Sequence, residues 1–278
     1  MWIAVECSNR GLRGWAIADE STQPLMADAR EPEAEALRHM ITPHLRDGSV
    51  TTVICCGGEG GPFTLVPAQP VGGPPAAVSY TDPRAAVFTV PGLSQNDPPD
   101  ITEGEETAIA GFLALNPDWD GVVCLPGLHS RWAHVSAGEV ISFRSFLTGE
   151  LYTALAVHHP DHDAANMEEF KAAVSDAMSR PERVASALFS LRAQVVLGHP
   201  AAKTGHVRLA GLLIGMELAA ARPYWLGQNV ALIAPATEEL TPLYVEALQA
   251  QGISATIFDR TDMVLAGLRL VYAKLKLS

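Results

Sequence analysis

Twice in this chain an apolar run stops at a short polar turn and comes straight back as a second apolar run. Met1 to Cys7 and Leu12 to Ala18 flank Ser8-Asn9-Arg10-Gly11, and Trp132 to Val135 and Val140 to Phe146 form a second pair after the run Gly121 to Leu125. Runs of this length on either side of so few residues predict β-hairpins. After each hairpin the pattern changes to alternating helices and strands. In the first half these are a helix from Pro32 to Leu45 and strands over Thr51–Cys56, Ala76–Tyr80 and Ala86–Val90. In the second half, helices are predicted near 149–158, 166–179, 181–197, 204–222 and 240–251, strands over 230–234 and 255–258, and a last helix from Asp262 to Leu275. Two hairpin-led α/β segments predict a duplicated architecture with a cleft between the halves.

Leu93 to Ile101, with Pro98-Pro99 and two aspartates, reads as a linker, and Thr102 opens a helix reaching about Leu115. The expected domains are therefore 1–102 and 103–278, with the final helix, 262–278, able to pack back on the first. The formal charge of -12, with only 19 Lys and Arg and no basic run, argues against a nucleic-acid or anionic-membrane surface. The longest apolar stretch, Leu209 to Ala221, is too short to span a bilayer and contains Glu217. No basic segment precedes the first apolar run. Cys7, Cys55, Cys56 and Cys124 lie in strand-like runs without C-x-x-C spacing, which predicts buried, reduced thiols. Small-molecule chemistry in the cytoplasm is the expectation.

Four segments together resemble one family: "GEET" (104–107), "PGLHSRW" (126–132), "FRSFLTGEL" (143–151) and "LAGLLIGMEL" (209–218). Weaker echoes are "LRGW" (12–15), "VPGL" (90–93) and "LFSLRAQVVLG" (188–198). Their order and spacing are similar to those of the 2-dehydro-3-deoxygalactonokinases, sugar-acid kinases of the actin/hexokinase-like superfamily. The resemblance implies two ribonuclease-H-like domains, ATP and Mg²⁺ in the cleft, and phosphorylation of 2-dehydro-3-deoxygalactonate. Partners are thus ATP and a sugar acid, with no nucleic acid or membrane; a homodimer is left open.

The same resemblance implies roles for individual residues. Glu6 takes the position of the carboxylate that supports the metal in the first phosphate turn, beside Ser8 and Arg10, which stand where the family has glycine and threonine. Gly127, Leu128 and His129 form the second phosphate turn, with Leu128 in place of threonine. Glu105 and Glu106 occupy the position of the base that takes the proton of the attacking hydroxyl. Thr102-Glu103-Gly104-Glu105 also has capping-box form, which explains acids there without chemistry. Arg13, Arg144 and Arg192 are candidates for the substrate carboxylate, because a guanidinium can bind one bidentately. Thr148 and Glu150 are further substrate candidates, although a threonine is also an ordinary helix N-cap. In "LIAPATEEL" (232–240), Ala234, Ala236 or Thr237 stands where the family has a glycine against adenosine. These departures leave a second reading, a non-catalytic paralogue that binds a sugar acid without ATP. The cluster His158 to Asp163 is rich in metal-ligand residue types but reads as a loop with no partner cluster.

Overall fold

The computed structural model describes residues 1–8, 11–18, 21–27, 31–58, 61–159, 166–235 and 239–277. In chain order the first part contains β1 (Trp2–Ser8), β2 (Gly11–Ala18), β3 (Ser21–Met26), α1 (Glu33–Ile41), β4 (Thr51–Cys56), β5 (Phe63–Leu65), β6 (Ala76–Val78), β7 (Ala85–Thr89), β8 (Gly92–Asn96), β9 (Pro99–Ile101) and α2 (Glu105–Leu115). It continues with β10 (Gly121–Leu125), β11 (Ser130–Ser136), β12 (Glu139–Phe146), α3 (Thr148–Ala156), α4 (Met167–Ser179), α5 (Val184–Val196) and α6 (Gly205–Ala220). Last come α7 (Arg222–Trp225), β13 (Val230–Ala234), α8 (Thr241–Ala250), β14 (Thr256–Asp259) and α9 (Arg260–Leu277). One compact unit comprises 1–119, 135–142 and 260–278; the other comprises 120–134 and 143–259.

The first unit is built on a six-stranded sheet of order β3-β2-β1-β4-β7-β6. β1 pairs antiparallel with β2 and parallel with β4, and β4 runs parallel to β7. All of β1 from Trp2 to Cys7 is buried, as expected of a strand covered on both faces. α1 packs Ala36, Met40 and Ile41 on one face with Ile3, Val5 and Val53. α9 covers β1 as well, where Tyr272 stacks on Trp2 with ring centroids 4.2 Å apart. α2 and α9 cross closely, because a Cβ on Gly111 would lie 1.8 Å from the Met263 carbonyl oxygen and one on Gly267 2.0 Å from that of Thr107. Only hydrogen fits at either position.

The stretch expected as a linker is instead β8 and β9, which join β5 in a small sheet of order β5-β8-β9. Its prolines misled the sequence reading: β9 is an edge strand, and Pro99 is its first residue, where a missing N–H breaks no ladder. β3 went unrecognised for a similar reason, being a polar, mostly exposed edge strand that tolerates Pro24. α2 begins at Glu105 rather than Thr102, since Gly104 at its N-cap has φ 109°, a left-handed conformation that suits glycine.

The second unit contains strands of the sheet β12-β11-β10-β13-β14, with β10, β13 and β14 parallel. β10 and β13 are wholly buried. α6 is apolar around nearly its whole circumference and fills the centre of this core, as such a helix must. All four cysteines are free and buried. Among the described residues no helix is long and apolar enough to cross a membrane.

Candidate functional site

In the first unit, charged side chains gather where parallel strands β1 and β4 end, the edge at which open α/β sheets place their ligands. Glu6 lies opposite Arg13 in the β1–β2 ladder. Arg13 Nε and Nη2 donate to Glu6 Oε2 at 3.1 and 2.5 Å, and its Nη1 donates to Thr261 Oγ1 at 2.6 Å. Arg260, the first residue of α9, donates from Nε to Glu6 Oε1 at 3.0 Å. Its Nη1 lies 3.7 Å from Glu105 Oε1. A single row of alternating charges therefore runs Arg13, Glu6, Arg260, Glu105. The chain reaches this row through glycine: a Cβ on Gly57, just after β4, would lie 2.3 Å from the Cys7 carbonyl oxygen.

The two adjacent glutamates of "GEET" occupy different surroundings. Glu106 is completely buried. It accepts from Thr102 Oγ1 at 2.6 Å, the Gly104 N–H at 3.0 Å and Thr107 Oγ1 at 3.0 Å. Burial pushes its carboxyl up, and these donors oppose the shift. Thr102 in turn accepts from the Leu93 N–H at 2.8 Å, so Glu106 braces the turn between β9 and α2. The capping box expected here is replaced by this bracing, with Gly104 as the cap. Glu105 accepts from the Glu103 N–H at 2.8 Å and faces Arg260.

In the second unit, the turn after β10 packs directly on the start of α3. The Glu150 N–H donates to the Leu128 carbonyl at 2.9 Å, and a Cβ on Gly149 would lie 2.1 Å from the Gly127 carbonyl oxygen. His129 Nε2 and Glu150 Oε2 are 3.1 Å apart. Directly behind the turn lies a residue that the sequence reading did not place in the site, Glu217 of α6. It is 1% exposed, with Ser130 Oγ at 2.6 Å, Tyr244 OH at 2.7 Å and Trp132 Nε1 at 2.7 Å donating to it. Thr148 also donates to it. Burial holds this carboxyl above its ordinary value despite the donors. The signal in the sequence is one acid inside thirteen otherwise apolar or glycine positions, Leu209 to Ala221.

The remaining predicted residues are spread out. Ser8 is exposed and its hydroxyl donates to the Gly11 carbonyl at 3.1 Å. Arg144 on β12 and Arg192 on α5 are exposed, as is Glu150. Thr148 is buried and turned to Glu217. Arg10, Ala236, Thr237 and the 160–163 part of the histidine cluster lie outside the described residues. No group of three or more His, Cys, Asp or Glu side chains among the described residues is placed to hold a metal ion.

Glu6 does not fit the metal-supporting role that the resemblance implies. Both of its oxygens accept from guanidinium groups, and a divalent cation placed against them would meet two fixed positive charges. In the 126–129 turn, a Cβ on Gly127 would meet nothing closer than the His129 carbonyl oxygen at 3.5 Å. The backbone is open there. Glycine is not needed to fit neighbouring protein, but leaves space for a group from outside.

A model of the 2-keto-3-deoxy-galactonokinase family matches residues 11–271 of the chain. A protein of Rhizobium meliloti (strain 1021), named a probable 2-dehydro-3-deoxygalactonokinase, is 30% identical over 293 residues, 96% of this chain and 95% of its own. The 2-dehydro-3-deoxygalactonokinase of Escherichia coli (strain K12) is 31% identical over 194 residues, covering 66% of this chain and 64% of its own. Among solved structures, a Sinorhizobium meliloti protein carrying the same provisional kinase name superposes with TM-score 0.83 at 27% identity, over 99% of this chain and 96% of its own. The (R)-2-hydroxyglutaryl-CoA dehydratase component A of Acidaminococcus fermentans superposes with TM-score 0.54 at 10% identity, over 98% of each chain, which shows the fold alone. That fold is the mixed α/β arrangement of the actin/hexokinase-like class.

Proposed function

The chain belongs to the 2-keto-3-deoxy-galactonokinase family, a family of carbohydrate kinases, and from that premise we propose that it phosphorylates the terminal hydroxyl of 2-dehydro-3-deoxygalactonate. ATP supplies the phosphoryl group. The observation that carries the assignment of roles is the contrast between the adjacent glutamates. Glu106 is sealed and both of its oxygens accept from threonine hydroxyls beside the turn that it braces, whereas Glu105, 6% exposed, faces the Arg260 guanidinium at 3.7 Å. Glu105 is therefore the base that takes the proton of the attacking hydroxyl. Phosphoryl transfer demands mainly positioning and charge neutralisation, so one such carboxylate is enough.

The Gly127–His129 backbone receives phosphate, with Leu128 adding shape but no hydroxyl donor. A lost donor to a charged group weakens binding by about 1.5 to 3 kcal/mol. Arg144 and Arg192, exposed on β12 and α5, are the candidates for the sugar-acid carboxylate, together with Glu150 for its hydroxyls. Arg13 is committed to Glu6 and Thr261 and is assigned a supporting role instead. No step is routed through Glu6 and a metal.

The test is ADP release by purified protein with Mg-ATP, offered 2-dehydro-3-deoxygalactonate or its 2-dehydro-3-deoxygluconate epimer. Substrate-dependent ADP that falls at least about a hundredfold in Glu105→Gln agrees with the usual contribution of a general base. Undiminished turnover in that variant refutes the role. If no ADP appears above the Glu105→Gln background while the sugar acid alone raises the melting temperature, the chain is a sugar-acid binding protein on a kinase fold.

A further inference from the structure

We propose that Arg260 is the positioning residue of the base: its guanidinium fixes the Glu105 carboxylate, and Glu6 fixes the guanidinium. The inference rests on the reading of Glu105 as the base. Its support is geometric. Arg260 sits at the first position of α9, with its side chain 14% exposed, and bridges a carboxylate on β1 to one on α2 with two different nitrogens. A fork of this kind orients as well as attracts, which a lysine's single ammonium cannot do. The α2–α9 crossing holds the two helix starts in register, because Gly111 and Gly267 admit backbone contact with no side chain between. The acid expected at a metal thus serves as the anchor of an arginine.

Arg260 of α9, Glu106 of α2 itself and Glu103 just before α2 adjoin Glu105, while Glu6 of β1 and Cys56 of β4 adjoin Arg260, with Arg13 of β2 beyond Glu6. Arg260 Nη1 stands 3.7 Å from the Glu105 carboxylate. Removing Arg260 takes away a positive charge at that distance and keeps Glu106 as an acidic neighbour, so the proton affinity of Glu105 rises. A base with raised affinity is ionised only at higher pH.

The experiment compares the full-length chain with Arg260→Gln and Arg260→Lys. Two readouts are taken: ADP release across pH, and ¹³C NMR titration of glutamate carboxyls, with Glu105 assigned by its loss in Glu105→Gln. In Arg260→Gln the Glu105 midpoint rises by about one pH unit or more, the usual effect of losing an opposite charge at this distance. The acid limb of the kcat profile moves with it, and kcat falls at least about tenfold while KM for the sugar acid changes less than about threefold. A role in folding alone would lower the melting temperature and leave both the midpoint and the limb in place; that result overturns the inference. If Arg260→Gln does not fold, Arg260→Lys decides, since one ammonium cannot serve both carboxylates; an unmoved Glu105 midpoint there also overturns it. Should the wild type release no ADP, the kinase reading fails, and the NMR titration still decides whether Arg260 holds Glu105.

Discussion

Replacing Glu217 tests how the 126–129 turn is held. Four donors converge on this buried carboxyl from β11, α3 and α8, and no cation accompanies them among the described residues. Glu217→Ala strands the Trp132 N–H and the Tyr244 hydroxyl, whose positions are fixed by packing; the smaller Ser130 and Thr148 hydroxyls can rotate elsewhere. Each stranded buried donor costs about 1 to 3 kcal/mol, and the cavity left by the side chain adds to this. Relief of the desolvated acid offsets part of the loss. The net expectation is about 3 to 5 kcal/mol, which for a unit of this size lowers the melting temperature by roughly 6 to 20 °C.

Glu217→Gln separates charge from shape. The amide oxygen can take the Trp132 N–H, and its NH₂ can face the Ser130 and Tyr244 hydroxyls, which reorient to accept. The loss is then about 1 to 2 kcal/mol near neutrality. The pH dependence follows from the raised carboxyl of Glu217. A group whose folded value lies above its unfolded value contributes stability that is complete below the unfolded value, 4.5, and is lost as pH rises through the folded one. Glutamine has no such slope. The stability difference between wild type and Glu217→Gln, read by urea unfolding from pH 4 upward, therefore narrows as pH rises. A difference that stays constant or widens refutes the reasoning.

Two glycines beside the turn are expected to behave oppositely. Gly127→Ala should fold with stability within about 1 kcal/mol of wild type, because its Cβ enters open space, yet ATP binding measured by calorimetry should weaken at least about tenfold if phosphate lies there. Gly149→Ala, whose Cβ would lie 2.1 Å from a backbone oxygen, should instead destabilise the second unit in a thermal melt by about 2 kcal/mol or more. Gly267→Ala should separate α2 from α9 and lower the unfolding midpoint in urea, again by about 2 kcal/mol or more, since the Thr107 carbonyl stands 2.0 Å from the added carbon.

The fold was most legible where a strand is buried on both faces. β1, β10 and β13 stand out as continuous apolar runs, and the hairpin turns punctuate them. Edge strands hid because solvent lets them be polar: β3 has four exposed residues before its one buried leucine, and β8 with β9 carries the prolines that suggested a linker. The site was legible only as far as local motifs extend. "GEET" and "PGLH" draw attention to Glu105 and to the 126–129 turn as candidates, but Arg260 joins Glu6 across 254 positions of chain, and no periodicity announces such a contact. Glu217 did leave a trace, as a lone acid in an apolar helix. What it meets, four hydroxyl and indole donors from three other elements, is decided by packing.

The two units settle a buried carboxylate by opposite means, and this supports one further comparison. Glu6 lies between two guanidiniums, whereas Glu217 is surrounded by neutral donors. Glu6→Gln removes the carboxylate that lies between Arg13 and Arg260. Arg13 is 31% exposed in its side chain, so solvent screens much of its share; Arg260, at 14%, carries the larger one and keeps the longer contact to Glu105. Breaking a buried pair by deleting one partner typically costs about 3 to 5 kcal/mol, and the surviving Glu105 contact brings the expectation here down to about 2 to 4. In Glu217→Gln no cation loses its partner, and the loss is smaller. Urea unfolding of both variants at pH 7 should therefore rank Glu6→Gln as the more damaging, and high salt should narrow the gap by screening the exposed arginine. If Glu217→Gln proves equal or worse, hydrogen-bond saturation outweighs counter-ion pairing in this protein, and the row of charges from Arg13 to Glu105 matters less for folding than for placing the base.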